Sequence, residues 1–399
     1  MSPTGSYDAA VIGGGIAGAA CADAIARTGR TVVLLEQEPH VGYHSTGRSA
    51  AILSETSGHP VVCGLANASR PFFESPPSDV TEVPLLSPRG LVWIGQSGDE
   101  GALDELAAAG SRLAPTVTRV GPAEVLALVP GLREHAAAAG GVHEPDARSI
   151  DVSELLAGFV RRARRHGAHV ALATEALRLE RSGRTWEIDS GTERFRAEVV
   201  VDAAGAWADE VARRAGVRPI GARPFRRTVC IVPVGPDVSN WPLVMDVMSR
   251  FYAEPDSGGL LVSLAEETLV EPGDARPEEL DLALALERLD EATTLAPRSI
   301  RRSWAGLRTF SPDRLPTIGP DPDEPSFIWC AGLGGAGIKT APAVGAIVAN
   351  GLDPDRAPNG TTAPGARPLD DDPHGDGRLG DGLGRVPFDI GALSPARFR

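Results

Sequence analysis

Residues 7–37, YDAAVIGGGIAGAACADAIARTGRTVVLLEQ, decide the fold. The apolar run at 7–12 reads as a buried strand, 16–28 as a helix closed by Gly29, and 31–35 as the next strand. Between strand and helix, Gly13, Gly15 and Gly18 form G-x-G-x-x-G. Gly13 permits the tight turn, Gly15 lets a pyrophosphate approach the backbone, and Gly18 lets helix and strand pack closely. The helix begins at Ile16 and Ala17, where free N–H groups and the positive dipole end face the phosphates. Glu36, followed by Gln37, ends the second strand; its carboxylate suits ribose hydroxyls and disfavours a 2′-phosphate. This unit predicts a dinucleotide site and does not by itself separate NAD from FAD.

Two later stretches repeat the strand–loop–helix plan. EVVVDAAGAWADEVARRAG places a strand near 198–202 and a helix from about 207, and FIWCAGLGGAGIKTAPAVG places a strand at 327–331 and a helix from about 340. Between them, RRTVCIVPV, RFYAEP and GGLLVSL alternate with turns and predict an antiparallel sheet. The expected architecture is α/β, α+β overall. A Rossmann-type nucleotide domain is built from 1–83, 146–216 and 311–352, with a mixed or antiparallel-sheet substrate domain inserted as 84–145 and 217–310. Segment 353–383 is rich in Pro, Gly and Asp and reads as a flexible linker. Segment 384–399 regains apolar residues that can dock back.

A chain of 399 residues suggests two domains, or one large domain with an insertion. The net charge of −14 argues against nucleic acid and anionic membrane surfaces as partners. No apolar run approaches a membrane span. The short uncharged N-terminus leads directly into a strand pattern, so no signal peptide is expected. Cys21, Cys63, Cys230 and Cys330 show no metal or disulfide spacing, and reduced thiols in the cytoplasm are the expectation. Of the 39 lysines and arginines, one is lysine: Lys339, inside the third glycine-rich loop.

The combination of VGYHSTGRSAA, SRPFFESPP, PLLSPRG, DAAGAWAD, PFRRTVCIV, FYAEPDSGGLL and SWAGLRTFSPDRLPTIG resembles the D-amino acid oxidase superfamily of FAD-dependent amine oxidoreductases. Within it the chain looks most like the bacterial D-arginine dehydrogenase branch, and in GLRTFSPDRLPTIG like glycine oxidase. The resemblance implies FAD as cofactor and a substrate sheet covering the flavin. It also implies hydride transfer from the carbon bearing an amine, giving an imine. Further cofactor contacts implied by it are Ser45, Thr46, Arg48, Ser49, Ala50 and Ala51 in the second loop. Leu177, Ala204, Gly205 and Trp207 follow. Gly334, Gly335, Ala336, Gly337, Ile338 and Lys339 come from the third loop. The segment TFSPDRLP holds no cysteine, where sarcosine oxidases attach flavin covalently, so non-covalent FAD is expected.

Such chemistry needs a clamp that turns the substrate's C–H toward the flavin, and a planar arginine fork suits a carboxylate. By resemblance that clamp is Arg308, which also borders the cofactor, helped by Tyr252. Arg226 matches an active-site arginine, and its neighbour Arg227 would point to the other face of the strand. Lys339 aligns with a carboxylate-binding lysine of the sarcosine oxidases, which makes it a second clamp, a partner for flavin charge, or a solvent-facing bystander. Departures from the D-arginine branch are Ile52 for a histidine, Ser57 for a lid tyrosine, and Leu91 for the glutamate that reads the guanidinium. Ile52 and Leu91 predict a pocket for a neutral or apolar side chain, with Glu55 a solvated loop charge and His44 a packing residue. A specialised biosynthetic amino acid, N-methyl or other secondary amines and imino acids (which the Lys339 match supports), and 2-hydroxy acids are the alternatives as substrate. The electron acceptor (oxygen, a quinone or another carrier) is left open.

Overall fold

The computed structural model describes residues 5–256, 258–352, 383–384, 386 and 388–399. Its first large sheet has a parallel centre. Strand Gly5–Ile12 lies between Val32–Leu35 and Arg194–Asp202, with His169–Ala171 beyond the former and Phe327–Ala331 beyond the latter. Both faces of this centre are covered, which is why its strands read as continuous apolar runs. Helices Ile16–Ala26 and Gly337–Gly351 pack on one face around Val11, Cys21, Ile25, Leu34, Val344 and Ile347. Val33, Trp186, Phe195, Val211 and Trp329 fill the other. The predicted elements appear with shifted ends: the first helix stops at Ala26, the third loop's helix starts at Gly337, and the helix after Trp207 spans Ala208–Arg214.

The second sheet has ten strands and is mixed. Its neighbours are antiparallel except where Leu243–Asp246 runs parallel to Leu91–Gly95. Side chains alternate across it. Val92, Cys230, Val232, Val244 and Val262 face helix Glu279–Ala292, joined by that helix's Ala285 and Leu289. Leu91, Trp93, Val229, Ile231, Tyr252 and Leu261 face the other way, toward the first sheet's loops. The third glycine loop crosses between the sheets: Leu333–Gly334 pairs with the end of Arg302–Phe310. Positive φ at Gly332 (+70°) and Gly334 (+55°) allows that crossing.

Leu393 is fully buried with the first sheet's helices. Arg397 donates to Asp313 and to the Leu315 and Pro316 carbonyls, docking the C-terminal residues. Apart from Leu383, the expected linker 353–383 lies outside the described residues. Among the described residues no helix is long and apolar enough to cross a membrane. The four cysteines are free and buried.

Candidate functional site

The first cleft forms where the Gly5–Ile12 strand turns into its helix. Gly13 has φ +104°, and a Cβ there would lie 2.6 Å from the Ala203 carbonyl oxygen. A Cβ on Gly18 would lie 1.9 Å from the Gly13 carbonyl oxygen. Thr46 Oγ1 accepts from Ile16 N (3.0 Å), tying the second loop to the helix start. The Glu36 carboxylate accepts from Gly14 N (2.6 Å) and Glu38 N (2.8 Å), and burial raises its pKa. Around this cradle the cleft is lined by Gly13, Gly15, Ile16, Ala17, Glu36 and Gln37. Ser45, Thr46, Ala204, Gly205, Trp207, Gly334 and Gly337 also line it, whereas Ser49, Ala50, Ala51, Arg308, Gly335, Ala336, Ile338 and Lys339 border the neighbouring cavities instead. Glycines that admit no Cβ, a helix N-terminus and a held carboxylate together fit an adenine dinucleotide.

Gly18, Leu177 and Arg48 also stand outside the cleft's lining. Gly18 lies beneath the cleft, packed on the turn. Leu177 is 47 % exposed and outside the lining, because the chain leaves the cleft at Ala176 to enter the Arg178–Ser182 strand. The Arg48 guanidinium is taken up by the Ala275 (2.9 Å) and Ala305 (3.0 Å) carbonyls and Asp274, so it clasps the second loop to the substrate sheet. His44 packs on Trp207 at 4.6 Å and pairs with Glu38 at 2.9 Å.

A second cavity, about 260 Å³, lies between the sheets and is lined by Ser49, Ala50, Ala51, Ile52, Tyr252 and Arg308, with Gly335, Ala336, Ile338 and Lys339 opposite. A smaller one bordered by Thr46, Arg227, Tyr252 and Arg308 shares walls with both. Arg308 donates no hydrogen bond among the described residues, and a Cβ on Gly335 would sit 2.9 Å from its Nη1. The cradle leaves the guanidinium room only because position 335 lacks a side chain.

Strand parity corrects the arginine expected beside it. Arg227 pairs across the ladder with Gly306, two residues before Arg308, so both arginines face the cavity. Arg226 points to the opposite face, where it pairs with Asp281 (2.9 Å) and Glu278 of the covering helix region. Arg227 Nε is buried without a partner, and its one acidic contact, Glu267, is 3.5 Å away. Burial, then the charge of Arg308, pull the Arg227 pKa down to about 10. Two crowded, under-partnered guanidiniums create a strong demand for an anion.

Lys339 is 5 % exposed, which excludes the solvent-facing bystander. Its ammonium donates to the Ser54 (3.0 Å) and Ser57 carbonyls, tethering the loop that forms one cavity wall. Beneath that loop lies a buried polar network absent from the sequence reading. Glu55, expected in solvent, is 2 % exposed and forked by Arg70, one contact being 2.7 Å. Glu144 accepts from Ser54 Oγ (2.8 Å), Glu55 N (2.8 Å) and Thr56 Oγ1. Burial and the neighbouring Glu55 push its pKa up to about 7. Replacing Lys339 with Met orphans two carbonyls beside these acids. We expect a loss of about 3 kcal/mol in unfolding free energy and faster proteolysis within 54–58, read by denaturant titration and limited digestion. An unchanged midpoint would rule out the tether.

Ile52 lines the cavity. Leu91 does not: it is fully buried within the sheet's packed face, behind Leu243, its ladder partner. Glu254, which the sequence reading missed, lines the cavity instead. Its signal was present in RFYAEP, two residues beyond Tyr252 and so on the same strand face.

A sequence profile described as FAD dependent oxidoreductase matches residues 8–350. Glycine oxidase of Geobacillus kaustophilus (strain HTA426) is 27 % identical over 364 residues, 87 % of this chain and 93 % of that protein. The uncharacterized oxidoreductase YurR of Bacillus subtilis (strain 168) is 26 % identical over 239 residues, and that match spans only 62 % of its length. The crystal structure of Geobacillus kaustophilus glycine oxidase superposes with TM-score 0.77 at 24 % identity, covering 87 % of this chain and 94 % of that one. L-proline dehydrogenase from P. horikoshii gives 0.79 at 20 % identity, covering 98 % of each. At these identities the structural likeness shows the fold.

Proposed function

The chain belongs to the FAD dependent oxidoreductase family, with FAD as its cofactor, and on that premise we propose that it oxidises the C–N bond of an amino acid. The observation behind this reading is the pair of under-partnered guanidiniums, Arg308 without a hydrogen bond among the described residues and Arg227 with only a 3.5 Å contact to Glu267, converging with Tyr252 on one cavity beside the dinucleotide cleft. Bound FAD supplies the acceptor for the hydride that leaves the carbon bearing the amine. The protein's part is to bind and aim. Arg308 and Arg227 take the carboxylate through paired N–H donors, and the Tyr252 hydroxyl adds a third contact. Lys339 holds the Ser54–Ser57 backbone in place and keeps that wall closed to water. The substrate loses a hydride from carbon and a proton from nitrogen, and the resulting imine is hydrolysed to a 2-oxo acid. The expected configuration is D, from the motif resemblance, and FAD is held non-covalently.

A secondary-amine substrate leaned on Lys339 as a free carboxylate-binding cation. Engagement of its ammonium by two carbonyls favours a primary amino acid. The test is anaerobic mixing of the FAD-loaded protein with D- and L-amino acids, N-methyl amino acids and 2-hydroxy acids. Bleaching of the flavin by primary amino acids alone is the expected result. Bleaching confined to either of the other classes would overturn the reading.

A further inference from the structure

The cavity's charges are unevenly satisfied. Arg314 donates to both carboxylate oxygens of Glu267 (2.7 and 2.9 Å), and the Lys339 ammonium is held by carbonyls. Arg308 is left without an anionic partner among the described residues, and Arg227 has only the long contact to Glu267, which Arg314 already engages. One carboxylate on the wall is in the opposite position. Glu254 is 9 % exposed, lines the cavity, and its side chain accepts no hydrogen bond among the described residues. Arg89, the cation whose charge acts on it, donates Nε to Ser149 (3.2 Å) and makes no hydrogen bond to Glu254. Burial pushes the Glu254 carboxyl up to about 7, with Arg89 opposing. Buried carboxylates are normally hydrogen-bonded, so one left open toward a cavity points to a ligand group that donates to it.

The ladder shows which end of the cavity this is. Ser303, Cys230, Val262 and Ala253 form one rung across four strands. Arg308 lies five residues beyond Ser303. Each of the three pairings is antiparallel, so Tyr252 falls on the Arg308 side of the rung and Glu254 on the far side. Glu254 is therefore about 7 Å further from the arginines along the strand than Tyr252. Leu243 and Met245 provide apolar wall between the two ends.

We infer that Glu254 is a specificity residue that selects amino acids bearing a cationic group, an ammonium or guanidinium, at the end of the side chain. This inference rests on the amino acid reading above for the carboxylate end only. It replaces the expectation of a neutral side chain, which followed from Ile52 and Leu91 standing where relatives have a histidine and a glutamate. Here the carboxylate comes from a different strand.

Binding without turnover separates the two readings. FAD-loaded protein is titrated with hexanoate and with 6-aminohexanoate, each followed by the perturbation of the oxidised flavin spectrum. The expected result is binding of 6-aminohexanoate at least about ten-fold tighter than hexanoate. In Glu254→Gln the two should become equal, with hexanoate affinity preserved. Glu254→Asp, which keeps the charge, should retain a preference and covers the case in which the Gln variant fails to hold FAD. Equal binding in the unmodified protein, or a preference that survives Glu254→Gln, would overturn the inference. In turnover, lysine should exceed norleucine in kcat/KM by a similar factor. If neither reduces the flavin although 6-aminohexanoate binds tightly, amino acid oxidation fails while the Glu254 assignment stands.

Discussion

Arg308→Met should slow substrate-driven reduction of FAD by two to three orders of magnitude while leaving FAD bound. Removing one partner of a buried, charge-assisted carboxylate pair costs about 2–5 kcal/mol, and about 1.4 kcal/mol is a factor of ten. The guanidinium makes no hydrogen bond to the described residues, so its loss should not unravel a structural network. The flavin-to-protein absorbance ratio should therefore stay constant while the anaerobic bleaching rate falls and KM rises. Arg227→Met should move in the same direction, because it shares the cavity. Arg226→Met is the contrast. It breaks the pair with Asp281 on the far face, so it should lower the thermal midpoint and leave the reduction rate within a few-fold. If Arg226 rather than Arg227 governs reduction, the parity assignment is wrong. If Arg308→Met reduces at the original rate, the carboxylate clamp lies elsewhere.

The second large effect is expected at Gly18. A methyl group there meets the Gly13 carbonyl oxygen at 1.9 Å, and backbone cannot rotate aside as a side chain can. Either the helix lifts from the strand or the Gly13–Gly15 turn opens. Overpacking of this kind typically costs about 1–3 kcal/mol. It falls on the element that presents N–H groups to phosphate, so binding should suffer more than stability. Gly18→Ala should be isolated with less than about a tenth of the usual FAD content. Gly101→Ala is the control: a Cβ there meets nothing within 4 Å, and the position lies inside helix Glu100–Gly110. That variant should keep its FAD and gain a few tenths of a kcal/mol up to about 1 kcal/mol from helix propensity. Full FAD occupancy in Gly18→Ala would mean that this close helix–turn packing is not required for binding.

Much of the nucleotide half was legible in the chain because its determinants are local. A strand period, three glycines and an acid at the end of the next strand lie within residues 7–37, and each has a backbone reason. The same holds for the third loop, whose glycines announced a helix start even though the helix begins at Gly337. The substrate half was legible as strands, and Arg308 and Tyr252, singled out by motif resemblance, both border the cavity. What failed there depended on side and partner. Arg226 and Arg227 are adjacent and chemically identical, and only the register with Gly306 decides which faces the cavity. Leu91 lies off the cavity wall and Glu254, not singled out in the sequence, lies on it for a related reason, since a position's distance from the cavity depends on how many strands lie between.

Lys339 shows the division most plainly. Its isolation among 39 basic residues marked it, and the sequence by itself determined that it opens a helix beside the cofactor loop. Whether its charge would meet substrate, flavin or water was decided by a loop near residue 55 that lies far away in the chain. Sequence by itself determined the dinucleotide cradle and the two-sheet plan, because these follow from local periodicity and glycine stereochemistry. Tertiary structure alone decided the burial of Glu55 and Glu144, the facing of Arg227 and the exposure of Glu254 to the cavity. Those depend on long-range strand pairing, which brings together charges that no local pattern relates.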